Sequence, residues 1–240
     1  SAQCKSAVIF AGMKVNGTTV IRAKKSRNHT ELILKHLNLP LQIKNNKYYD
    51  EIKIRKVKEI KRINYNIPCD ISSSAFFIVL TALSKNSELI IKNVNVNPSR
   101  TGIINILKKM GIKINLKNKK NYNGEKIADI EISSSKSIKA INCPTKLNSS
   151  AIDEFLVIFL VAAKAKGVST FRNLGELNKK ESPRLDIGVQ FLKMIGIKVE
   201  RKMNDIKIYG NPNLILKNKY SLKNFLKDHR VFMMGCVAAL

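Results

Sequence analysis

The residues of this 240-residue chain best suited to chemistry are a carboxylate ahead of an apolar stretch, an adjacent lysine–glutamate pair and a set of spaced arginines. Asp153 lies just before the apolar run Phe155 to Ala163, at the start of an expected helix, where the partial positive charge of a helix N-terminus favours an ionised carboxylate. Lys180 and Glu181 put an amine beside a second carboxylate, and both types carry protons in general acid–base catalysis. Arg27, Arg184 and Arg230 offer planar guanidinium forks that hold carboxylate or phosphate oxygens two at a time. Ser1 opens a helix-like stretch whose first N–H groups attract phosphate. Each also has an ordinary explanation: Asp153 and Ser1 as helix caps, the Lys–Glu pair and the arginines as surface or structural ion pairs of small worth.

The elements that must position these residues come from a repeat. SAQCKSAVIFAGM, SSAFFIVLTAL and SSAIDEFLVIFLVAA are helix-like; GTTVIRA, SELIIKNV and VSTFRNL follow as strands. Then come Ser26-Arg27, Ser99-Arg100 and Ser182-Pro183-Arg184, each opening a second helix. Those helices should stop at Asn38, Gly111 and Gly196, residues that tolerate a left-handed cap, 11 or 12 residues beyond each arginine. GIKI and GIKV then enter the next strands, with further strands over Ile127 to Ile132 and Asp205 to Tyr209. Ser1 to Arg27 and Ser74 to Arg100 are each 26 residues, but Ser150 to Arg184 is 34. The third copy thus holds an insertion that includes Lys179, Lys180 and Glu181, and insertions into repeats collect on working faces. Asp228 starts a fourth copy that ends after one helix, so the chain is expected to be cut at both ends. Lys44 to Asn66 is expected to form lysine-rich edge strands, which resist sheet-to-sheet aggregation, with Pro68 marking a crossing between two lobes. The class is α/β.

Lys and Arg total 44 against 17 Asp and Glu, a net charge of +27. Because the lysines are spread along the whole chain among Asn and Ile, a composition bias accounts for them better than a nucleic-acid groove does, although the field would steer small polyanions inward. Cys4, Cys69, Cys143 and Cys236 lie far apart without metal-ligand spacing, so buried or idle thiols in a reducing cytoplasm, with no metal and no cofactor, are expected. No apolar run reaches the ~20 residues of a membrane span, and the chain reads as soluble.

Seven strings in order, SAQCKSA, SRNHTE, DISSSAFF, NPSRTG, AIDE, KESPR and DHR, resemble the 5-enolpyruvylshikimate-3-phosphate synthase family, in particular its bacterial glyphosate-tolerant branch. The resemblance implies an inside-out α/β barrel fold of two lobes, each of three βαβαββ units. Residues 1–68 would belong to the lobe holding the middle of the family sequence and 69–240 to the other. It implies the addition of shikimate 3-phosphate to phosphoenolpyruvate with release of phosphate, in the cytoplasm, by a protein that is a monomer at full length. By the same resemblance Ser1, Ala2, Gln3, Arg27, Asp153 and Lys180 bind shikimate 3-phosphate, and Lys180, Arg184 and Arg230 bind phosphoenolpyruvate. Asp153 is then base and positioner, while Lys180 and Glu181 handle protons at the phosphoenolpyruvate carbon. Arg100, the repeat counterpart of Arg27, is expected to be structural.

Three positions depart from the family pattern: Pro183 where Asp is usual, Asn178 where Arg is common, and Asn28 where Asp is usual. Pro183 is expected to displace the loop around Glu181 and Arg184. The family's N-terminal Lys-Ser-Arg segment, Gly-rich loop, upstream phosphoenolpyruvate arginine and C-terminal lysine have no counterpart here, so this internal piece is expected to be inactive alone. Two other readings compete: a UDP-N-acetylglucosamine enolpyruvyl transferase, whose loop Cys and sugar-binding strings are not found here, and a non-catalytic basic piece that binds polyanions.

Overall fold

A computed structural model describes residues 2–216, 219–221 and 228–240. The chain runs α1 (Ala2–Gly12), β1 (Thr18–Lys24), α2 (His29–His36), β2 (Leu41–Asn45), β3 (Tyr49–Arg55), then α3 (Ile71–Leu83), β4 (Glu88–Asn95), α4 (Gly102–Lys109), β5 (Ile114–Tyr122) and β6 (Glu125–Ser133). A third set follows: α5 (Phe155–Ala163), β7 (Gly167–Phe171), α6 (Arg184–Met194), β8 (Val199–Lys202) and β9 (Asp205–Gly210), with α7 (His229–Ala239) opening a fourth. The repeat in the sequence is therefore a repeat of structure. In each copy the last strand is central, antiparallel to both neighbours, giving the orders β1-β3-β2, β4-β6-β5 and β7-β9-β8. A leading strand is present in reduced form: Cys69 pairs in parallel with Val94, and Lys139 and Asn142 pair in parallel with Lys166 and Thr170. That completes a βαβαββ unit.

The expected helix stops occur where the sequence put them. Asn38, Gly111 and Gly196 have φ of 55°, 89° and 84°, left-handed values that end α2, α4 and α6 and turn the chain into β2, β5 and β8. Two expectations need correction. Lys44 to Asn66 is not a set of edge strands: β3 is the middle strand of its sheet, its Ile52 and Ile54 fully buried, and residues 56–68 carry no regular structure. The alternation of Ile52 and Ile54 was the informative signal, whereas the lysines around it only decorate the outer face. In the third copy the helix begins at Phe155, with a short 3-10 turn at Thr145–Leu147 before it, so Ser150 and Asp153 lie ahead of the helix.

All nine residues of α5 are buried, as an all-apolar helix requires. It packs among α3, α6 and α7; Phe171 meets Phe155 and Phe159 edge-on and those two are tilted to each other, with centroids 5.5–5.9 Å apart. The buried side chains form two cores. Ile9, Met13, Leu34, Leu41, Ile52 and Ile54 make the smaller one, and the larger begins at Ile71 and ends at Val237. Between them residues 56–68 cross over, held by the Asn66 N–H donating to Tyr122 Oη at 2.9 Å and by the Tyr65 and Tyr122 rings. Among the described residues no helix is long and apolar enough to cross a membrane, and no group of three His, Cys, Asp or Glu could hold a metal. All four cysteines are free; Cys4, Cys69 and Cys236 are exposed rather than buried, while burial pushes the Cys143 thiol up to about 11.

Candidate active site

The two cores meet where the loop after β1 faces the segment before α5. Lys5 of α1, 4% exposed, pairs with Glu31 and donates to the Arg27 carbonyl at 2.8 Å, and the Ser6 and Thr30 hydroxyls lie 2.7 Å apart. These contacts fix the Arg27 loop against the first turn of α1, which carries Ala2 and Gln3. Ser1 lies outside the described residues. Across the gap, Asp153 is 7% exposed and does not cap α5; the cap position belongs to Glu154, whose side chain makes no cap hydrogen bond. The Asp153 carboxylate faces cations instead.

Four of them converge on it. Arg27 Nη2 pairs with Oδ2, Arg184 Nη1 lies 3.3 Å and Lys180 Nζ 3.6 Å from Oδ1, and Arg230 Nη2 lies 3.9 Å from Oδ2. They come from the loop after β1, the insertion before α6, the first residue of α6 and the first turn of α7. Six of the residues singled out in the sequence, Arg27, Asp153, Lys180, Glu181, Arg184 and Arg230, thus share one place. Arg184 is the most deeply buried of them, 1% exposed, and survives there because its Nε donates to Asp228 Oδ2 at 2.8 Å and its Nη2 pairs with Glu181. Glu181 itself is mostly exposed, at the rim.

Charge crowding tunes the groups. Burial, then the neighbouring Arg27 and Arg184, holds the Lys180 amine below the usual lysine range. A backbone N–H bond, with Arg184 beside it, holds Glu181 below the usual carboxylate range despite some burial. Burial opposes ionisation of Asp228, yet hydrogen bonds from Arg184, Ser182 and the Arg230 N–H together bring it below its ordinary value. Burial raises Glu154, against the Ser72 hydrogen bond and the nearby Arg100, Arg230 and Arg27. Four cations against the carboxylates of Asp153, Glu181 and Asp228 leave a surplus of positive charge, and such a cluster, holding a lysine whose proton is loosened, can hold a small anion and move a proton beside it.

The departures from the family pattern settle into local roles. Pro183 does not pull Arg184 away from Asp153, Glu181 or Asp228. Since Pro183 has no capping side chain, Asn178 Oδ1 accepts from the Leu185 and Asp186 N–H groups at 3.0 and 3.3 Å, and its Nδ2 donates to Asp186 Oδ1. Asn28 Oδ1 accepts from Asn97 Nδ2 at 2.8 Å and from the Ser99 hydroxyl at 3.2 Å. Sequence reasoning missed Asp228, the anchor of Arg184, and Glu154, although both stand inside motif strings next to residues it selected.

A model of the EPSP synthase (3-phosphoshikimate 1-carboxyvinyltransferase) family matches residues 1–240. The 3-phosphoshikimate 1-carboxyvinyltransferase of Caldicellulosiruptor bescii is 38% identical over 242 residues, 100% of this chain and 54% of the relative, and that of Legionella pneumophila is 39% identical over 239 residues, 99% and 53%. The chain therefore spans about half the length of the curated relatives it matches. Among solved structures, the EPSP synthase of Acinetobacter baumannii superposes with a TM-score of 0.88 at 33% identity, covering 100% of this chain and 54% of that one. The enolpyruvyl transferase NikO of Streptomyces tendae, at 13% identity and a TM-score of 0.65 over 98% of this chain and 53% of its own, shares the fold. With a family match over its whole length and a backbone built from the same repeated units, the chain belongs to the EPSP synthase family.

Proposed function

We propose that this chain supplies one part of an active site that transfers the enolpyruvyl group of phosphoenolpyruvate to the 5-hydroxyl of shikimate 3-phosphate, releasing phosphate. The observation that carries the reading is the single buried carboxylate, Asp153, ringed by Arg27, Lys180, Arg184 and Arg230 from four separate segments. In the addition step the hydroxyl oxygen bonds to C2 of phosphoenolpyruvate while the methylene carbon gains a proton. In the elimination step the bond from C2 to the phosphate oxygen breaks, and a proton leaves the new methyl group. Asp153 orients the attacking hydroxyl and takes its proton. Lys180, whose amine releases a proton more readily than an ordinary lysine, and Glu181 at the rim serve the carbon that gains and then loses one. Arg184 and Arg230 hold phosphoenolpyruvate; Ser1, Ala2, Gln3, Arg27, Asp153 and Lys180 hold shikimate 3-phosphate, whose phosphate takes a place beside the first turn of α1.

In this reading residues 1–68 and 69–240 belong to two lobes that close on the substrates, a division supported by the two separate cores. The same reading takes the full-length protein to work in the cytoplasm and as a monomer. Residues 1–240 alone are expected to release no phosphate from the two substrates, and the same chain joined to the flanking segments of its gene is expected to do so. Glu181→Gln in that longer protein should abolish phosphate release while shikimate 3-phosphate still raises the melting temperature. Protection by a UDP-sugar instead, or salt-sensitive binding to any duplex DNA with indifference to Asp153 and Glu181 substitution, would overturn the reading.

A further inference from the structure

Beside the cation cluster runs a second set of polar groups for which the reaction gives no use. Glu154, 3% exposed, accepts a hydrogen bond from the Ser72 hydroxyl at 2.5 Å. The Ser72 oxygen accepts in turn from Arg100 Nη2 at 2.6 Å, and the same nitrogen donates to Asp70 Oδ1 at 2.6 Å. Arg100 Nη1 lies 3.5 Å from His29 Nε2. As a guanidinium only donates, that contact makes Nε2 the acceptor and leaves the ring proton on Nδ1, which bonds Glu125. Glu125, 3% exposed, also accepts from Asn97 Nδ2 at 3.2 Å, and Asn97 and Ser99 reach Asn28. The pattern has a sequence logic. Arg27 and Asp153 form the ion pair that bridges the two cores; Asn28 and His29 follow Arg27, Glu154 follows Asp153, and one hydrogen-bonded chain through Arg100 joins the two followers.

We propose that Arg100 is a positioning residue: through Ser72 and Glu154 on one side and His29 on the other, it sets the separation and orientation of Arg27 and Asp153. The physical case rests on low dielectric and shared protons. Buried between Arg100 and Glu154, the Ser72 hydroxyl both accepts from a cation and donates to a carboxylate, so each bond strengthens the other. With Glu154 held in this way, the backbone of residue 153 cannot rotate freely. A guanidinium serves Asp70, Ser72 and His29 at once from a rigid plane, which a lysine ammonium on a flexible stem does not reproduce. Two copies of the repeat thus use the same arginine differently: Arg27 pairs with Asp153 directly, and its counterpart Arg100 aligns that pair from behind.

The inference rests on the proposed reaction for its kinetic test but has a structural test of its own. In the full-length protein, Arg100→Gln should raise KM for shikimate 3-phosphate about 10- to 100-fold, the scale expected when contacting groups shift by an ångström. KM for phosphoenolpyruvate, held by Arg184 and Arg230, should change far less. Arg100→Lys should not rescue, and Ser72→Ala should move the same constant in the same direction, with the double variant no worse than Arg100→Gln alone. Equal effects on both KM values, rescue by lysine, or a lowered melting temperature with normal constants would overturn the proposal. If the wild-type protein shows no enolpyruvyl transfer, the proposed function fails and the crystal structure of the Arg100→Gln variant decides this one: the Arg27–Asp153 pair should be parted, and finding it intact refutes the role.

Discussion

Replacing Asp228 by Asn tests whether the site is built on a buried ion pair. Asp228 and Arg184 are 0% and 1% exposed in their side chains, with Nε 2.8 Å from Oδ2. At an effective dielectric of about 20, two unit charges at that distance attract by roughly 6 kcal/mol before compensation. The substitution leaves a single oxygen: placed at Oδ1 it keeps the Arg230 N–H but turns an NH2 toward the Ser182 hydroxyl and Arg184 Nε, while Arg184 keeps Asp153 and Glu181, so only part of this is retained. A net loss of about 3–5 kcal/mol remains, the range for stripping one partner from a buried pair. For a chain of this size that lowers the melting temperature by roughly 6–20 °C. Urea unfolding of wild type, Asp228→Asn, Arg184→Met and the double variant measures it. The double variant should be less destabilised than the sum of the singles. The sign of the pH dependence follows from the lowered Asp228 value: its contribution is complete above the unfolded carboxylate value of about 3.9 and fades as pH falls through the lower folded value. The gap between wild type and Asp228→Asn should therefore shrink toward acid. A loss below about 1 kcal/mol, as for an exposed pair, or strict additivity, refutes the reasoning.

Gly102→Ala should destabilise by about 1–3 kcal/mol and perturb the segment leading to Asp153, because a Cβ there would meet Ser150 Oγ at 2.5 Å and the Ala151 nitrogen at 2.7 Å; calorimetry and a ligand titration read both effects. Asn178→Ala should cost about 1 kcal/mol, the worth of an N-cap, and denaturant titration would show no change if Asn178 were idle. In the full-length protein the alkaline limb of activity should fall below the ordinary lysine range of about 10.4, because Lys180 is protonated only up to its lowered value; a pH–rate profile checks this, and a limb at an unshifted lysine value counts against it.

The periodic and conformational features of this protein were legible in one dimension. Left-handed stops at Asn38, Gly111 and Gly196 follow from residue type, the spacing of Arg27 and Arg100 in the repeat follows from counting, and an all-apolar Phe155 to Ala163 has to be buried, its place in the repeat making it a helix. Those signals are local, so the sequence alone carried them, and with them the location of Asp153, Lys180, Glu181, Arg184 and Arg230 on a common class of loops and helix starts. Lysine-rich strands, by contrast, misled: the pairing partner of β3 decides whether it is edge or centre, and no residue of β3 states that partner. Only the packing of one unit against the next decided which cations share Asp153, that Asp228 rather than Pro183 governs Arg184, and that Asn178 caps α6. Counting placed Arg100 in the repeat and gave it a structural part, but neither its contact with His29, 71 residues away, nor that of Glu154 with Ser72, 82 residues away, was legible, because a hydrogen bond, unlike a helix period, leaves no trace in the spacing of a chain.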